Sequence, residues 1–212
     1  MRNALQQLVA VAGHPLGAAA AGPLPDLRAL GLERDFGLAE LLARRNGFFA
    51  FEGALRVFPT APASVSRDLA AWNSDDLWRG GYGALASGCL FFAEDVFGNQ
   101  FALTTSGVCS FDAETGERAV LGDSVRAWAE AVLADFEFLT GHPIAHEWQA
   151  SHGALRANER LLPTTAFVLG GEYALDNLRA VDGAKAMRIR GPVAQKLRDV
   201  PDGAAVRLGV TE

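Results

Sequence analysis

Four histidines, two cysteines and a run of carboxylates are the side chains of this 212-residue chain that could carry chemistry, and their spacing decides which chemistry is open. His146-Glu147 begins like the zinc-protease helix motif HExxH, in which two histidines one turn apart grip the metal and the glutamate activates water. Ala150 stands where the second histidine belongs. His142 lies one turn before His146 but with Pro143 between them, and His152 falls on another helical face, so no metal site is expected. Neither Cys109 nor any serine lies in a nucleophile-elbow pattern. Gly170-Gly171-Glu172-Tyr173 lacks both the G-x-G-x-x-G spacing and the Lys-Ser/Thr of a phosphate-binding loop, and reads as a tight turn. No catalytic, cofactor-binding or metal-ligating residue is assigned.

The carboxylates are more suggestive. Glu94, Asp95, Asp112, Glu114, Glu117 and Asp123 face only Arg118 in their segment, a net charge of −5. One reading is a set of solvated turns. The other is an acidic face that steers and docks a cationic partner, with Glu94, Asp95, Asp112, Glu114 and Glu117 as its contacts. Trp78 and Tyr82 flank a glycine-rich bend and are either half-buried core or aromatic contacts to the same partner. The C-terminal part has the opposite bias, with Arg179, Lys185, Arg188, Arg190, Lys196 and Arg198 against Asp182 and Asp199.

The elements that must position these groups are legible in part. Phe97-Gly98-Asn99-Gln100 separates two apolar runs and predicts a hairpin, and Asp112 to Glu117 predicts a second tight turn. Leu90-Phe91-Phe92-Ala93 has no polar alternation, which predicts a strand covered on both faces. Phe48–Phe51 and Ala54–Phe58 read as a short hairpin around Glu52-Gly53. Helices are expected at Leu5–Ala12, before Asn46-Gly47, between Ser66 and Tyr82, and after a cap at Asp123 or Ser124, where Val125, Trp128, Val132, Leu133, Phe136 and Leu139 form one stripe ending at Gly141. Ile144–His152 is a further helix. The remainder predicts strands at Ala166–Leu169, Leu178–Val181 and Ala205–Val210 and a helix interrupted at Gly191-Pro192. Together these give an α+β fold, a central and mainly antiparallel sheet with helices packed on it, plus a small α/β C-terminal extension. The expected organisation is an N-terminal helix and linker over 1–25, a main domain over 26–153 and the extension over 154–212.

Half of the residues are apolar and 21% are charged, enough to bury a full core without disulfide or metal staples. The net charge of −6 argues against a phosphate-backbone binder, so no direct nucleic-acid contact is expected. Cys89 and Cys109 read as buried free thiols, which suits a reducing cytosol. No apolar run approaches the roughly 20 residues of a membrane span, so neither membrane insertion nor a cofactor enters the expectation.

In order, the helix ending at Asn46-Gly47, the hairpin closing at VFPT, the Trp-containing segment, CLFFAEDVFGNQFAL, VCSFDAETGE and the Trp-bearing helix resemble the SUKH superfamily of Smi/Knr-like proteins over about residues 26 to 150. The tail, ERLLPTTAFVLGGEYALDNL with GPVAQKLRDVPDGAAVRL, resembles the extension of one bacterial branch. The resemblance implies a non-catalytic role. Many bacterial members are cytoplasmic immunity proteins that bind and neutralise toxins, often nucleases, delivered by contact-dependent or type VI secretion systems. A cationic toxin domain is the partner so implied. A regulatory scaffold of the Smi/Knr type is the alternative, with a hydrolase of unrecognised site behind it.

Overall fold

Six short strands follow one another across a single antiparallel sheet in sequence order: β1 (Phe48–Ala50), β2 (Leu55–Val57), β3 (Leu90–Glu94), β4 (Gln100–Thr104), β5 (Gly107–Phe111) and β6 (Arg118–Gly122). The computed structural model describes residues 3–18, 22–61 and 66–200. Tight turns at the expected places make this meander. Gly98 and Gly116 adopt positive φ between β3 and β4 and between β5 and β6, a conformation that costs glycine nothing.

The apolar run of β3 is covered on both faces, as expected. Phe92 meets Trp128 edge-on at 5.0 Å on one face, joined there by Phe101. Phe91, pointing the opposite way, packs with Trp78 and Phe111. Trp128 belongs to α4 (Val125–Ala134), capped by Ser124, and α1 (Ala4–Val11) and α2 (Leu38–Arg44) pack beside it. The opposite face carries α3 (Leu69–Trp72), the 3-10 turn at Arg79–Gly81 and α7 (Gly183–Leu197). Each large aromatic hidden in this way contributes roughly 1.5–3 kcal/mol relative to exposure.

The three segments read from sequence share one core. Leu5 and Leu8 of the N-terminal helix and Ala184, Met187 and Ala194 of the tail belong to the same apolar cluster as β3 and β4. A smaller cluster of Ala54, Val96, Phe97, Ala145, Trp148, Leu161 and Leu178 joins α6 (His142–His152) to the antiparallel pair β7 (Glu159–Pro163) and β8 (Leu178–Asp182).

Three expectations change. The stripe through Leu139 is two helices, because Asp135 leaves helical geometry and caps α5 (Phe136–Thr140). Phe167–Leu169 is a 3-10 turn where a strand is predicted, and β7 had no sequence signal. Helix α7 continues through Pro192. The predicted strand at Ala205–Val210 lies outside the described residues.

Candidate functional site

Register determines what the carboxylates do. Arg56 on β2 stands opposite Glu94 on β3, which stands opposite Gln100 on β4. Glu94 is fully buried, and its Oε1 forms ion pairs with Arg56 Nη2 at 2.7 Å and with Arg160 Nε from β7. Gln100 Nε2 donates to Glu94 Oε2 at 3.2 Å, while its Oε1 accepts from Trp72 Nε1 at 2.8 Å. Burial pushes the Arg56 guanidinium down to about 9 against the opposing pull of Glu94, so it stays cationic at neutral pH. Arg56 also donates to Ala157 O and Asn158 Oδ1, and stacks over Phe58.

The expected acidic face is therefore corrected. Glu94 holds two buried arginines. Asp95, 5% exposed, accepts from the Phe97 and Asn99 amides and from Asn99 Nδ2, each at 2.8 Å, and so builds the β3–β4 turn. Burial raises its carboxyl to about 7. Glu114 is buried too, accepting Val168 N at 2.8 Å, and its carboxyl is raised by desolvation. Trp78 and Tyr82 are core residues, ring against ring at 5.5 Å, with the Tyr82 hydroxyl donating to Ala113 O. Of the nominated set only Asp112 and Glu117 are exposed.

Asp112 borders a groove that sequence reasoning missed. It has a volume of about 570 Å³ and runs between the ends of β4 and β5, helix α5, the start of α6 and Tyr173. Phe101, Phe111, Leu139 and Ile144 supply apolar lining, and Phe138 and Tyr173 stand at it 81% and 62% exposed. Tyr173 stacks on Phe167 at 3.8 Å with Phe97 edge-on to both. The charged residues lining the groove are Asp95, Asp112 and Glu137, with no basic side chain among the described residues. The available signal was Phe138, a large apolar residue lying off the stripe of its own helix.

One wall of the groove is clamped. His142 and His146 lie one turn apart on α6 and both reach Glu52, at 3.6 Å and 2.8 Å, since Pro143 in the first helical turn disturbs nothing. Their hydrogen bond raises the His146 imidazole and lowers the Glu52 carboxyl. Phe51 and Glu52 adopt positive φ in the β1–β2 turn, a strain of order 1–3 kcal/mol each that the Phe51–Phe136 stack and these contacts offset. No group of three metal-ligating side chains occurs among the described residues.

A solved structure shares this architecture. The crystal structure of Atu4351 from Agrobacterium tumefaciens superposes with a TM-score of 0.59 at 16% sequence identity, covering 90% of this chain and 88% of that chain. At that identity the likeness shows the fold alone, here α+β. No family model matches the chain. No curated protein matches it either.

Proposed function

We propose that this chain is a non-catalytic protein-binding domain of the immunity type, which neutralises a secreted bacterial toxin by direct contact in the cytoplasm. The observation that carries this reading is the groove, whose exposed Phe138 and Tyr173 make an aromatic rim over an apolar, negatively lined floor. The resemblance of residues 26–150 to Smi/Knr-like proteins supports the same role. The perturbed acid nearest the groove, Asp95, has both carboxylate oxygens committed to its own turn, which supports a structural duty for it. Among the described residues no helix is long and apolar enough to cross a membrane.

The test is co-expression of the full chain with each toxin-like reading frame encoded beside it. Restored growth together with a stoichiometric complex on size exclusion supports the reading. Unrelieved toxicity with every neighbour, and no complex, rejects it.

A further inference from the structure

The groove's chemistry points to one kind of occupant. We propose that it receives an arginine or lysine side chain flanked by large apolar residues on an extended segment of the protein partner. This rests on the binding reading above and specifies what enters the site.

Three observations carry it. Size comes first: about 570 Å³ accommodates a few side chains and falls within the ordinary range of ligand sites, while a folded element needs more room. Charge comes second. Asp112 uses Oδ1 for the amides of Glu114 and Thr115, which leaves Oδ2 free of its turn, and Glu137 is exposed with no side-chain ion pair among the described residues. Among the described residues no arginine or lysine forms an ion pair with Asp112 or Glu137; Arg190 donates to the Phe97 carbonyl and Arg118 to the Leu85 and Ser87 carbonyls. Aromatic geometry comes third. The Tyr173 ring stacks within the Phe97–Phe167–Tyr173 trio, and a guanidinium or ammonium laid against an aromatic face gains cation–π attraction. Phe138, almost fully exposed on the facing helix, supplies the apolar contact for the flanking residue.

The experiment is an NMR titration of the isotope-labelled full chain with capped tripeptides Phe-Arg-Leu, Phe-Lys-Leu, Phe-Gln-Leu and Phe-Glu-Leu. The basic peptides are expected to shift the amides of Asp112, Glu137, Phe138 and Tyr173, with the Gln peptide about tenfold weaker and the Glu peptide weaker still. Glu137→Gln should weaken the Arg peptide about threefold and leave the Gln peptide unchanged, while Phe138→Ser should weaken both. Both positions are exposed, so both variants fold. Equal affinity for the Arg and Gln peptides, shifts confined to another face, or spermidine binding as tightly as the Arg peptide would each overturn the proposal. Its failure is separable from that of the toxin reading. A neutralised toxin whose complex is indifferent to Glu137→Gln and Phe138→Ser overturns the groove assignment alone, and selective peptide binding supports the groove even where no neighbouring toxin is neutralised.

Discussion

Glu94 is worth more to this molecule as an internal counter-ion than any surface carboxylate could be. Replacing it by Gln leaves Arg56 and Arg160 buried with no anion between them, and removing one partner of a buried ionic cluster costs about 3–5 kcal/mol. The urea midpoint of Glu94→Gln should fall accordingly, whereas the triple variant Arg56→Met, Glu94→Leu, Arg160→Met should recover most of the loss. A Glu94→Gln protein as stable as the parent would refute the assignment. Asp95 makes a pH-dependent contribution of the opposite kind. Its folded pKa of about 7 exceeds the unfolded value near 3.8, so the native state holds the extra proton between them. Stability is full below about pH 4 on this account and is lost as the pH rises through 7, on the order of 4 kcal/mol. Glu114, raised as well, acts in the same direction. Asp95→Asn still accepts the Phe97 and Asn99 amides but loses its bond from Asn99 Nδ2, so it should be weaker at pH 5 and show a flatter slope from pH 5 to 8. An unchanged slope in urea unfolding would show that Asp95 is not the titrating group. None of this was readable from residue types, since a carboxylate's duty depends on which arginine the register sets opposite it.

At the scale of elements, local signals were legible and tertiary ones were not. Turn chemistry at Gly98 and from Asp112 to Glu117, the Ser124 cap and the Trp128 stripe as far as Leu133 each depend on a few neighbouring residues, and each formed where the sequence placed it. The sheet edges show what such signals miss. The β1 edge is covered by the N-terminal segment through Ala12 and Gly13, while β6 is an edge blunted by a bulge and by Arg118. Helix α7 is the clearest case, because Gly191-Pro192 reads as a break and is instead a close approach. A Cβ at Gly191 would lie 2.8 Å from the Gly81 carbonyl carbon and 3.0 Å from the Tyr82 ring, and the Gln195 amide reaches Gly81 O. Gly191→Ala gains up to about 1 kcal/mol of helix propensity but forces a methyl against rigid backbone, costing about 1–3 kcal/mol. The clash should win. Reduced stability with a diminished near-ultraviolet signal from the Trp78–Tyr82 pair is expected, and a Gly191→Ala variant more stable than the parent would contradict the close packing.

For the whole molecule, the question is whether the tail is an appendage or part of the core. Ala184, Met187 and Ala194 lie in the main apolar cluster, Arg190 donates to the Phe97 carbonyl, and Arg160 completes the charge around Glu94. Tyr173, which forms one wall of the groove, also comes from this tail. Ending the chain after Gly153 would uncover Tyr82, leave Arg56 as the sole guanidinium paired with Glu94, and open the groove. The losses fall on neighbouring residues and are set against a total of only roughly 5–15 kcal/mol that holds a domain of this size together. A fragment of residues 1–153 should therefore aggregate or bind a hydrophobic dye with no sharp near-ultraviolet spectrum, while the full chain unfolds in one transition with tryptophan fluorescence and far-ultraviolet signals superimposed. Two resolved transitions in the full chain, or a monomeric fragment that unfolds cooperatively near the parental midpoint, would instead establish the tail as an independent unit and return the groove to the remaining walls of α5, α6 and the sheet.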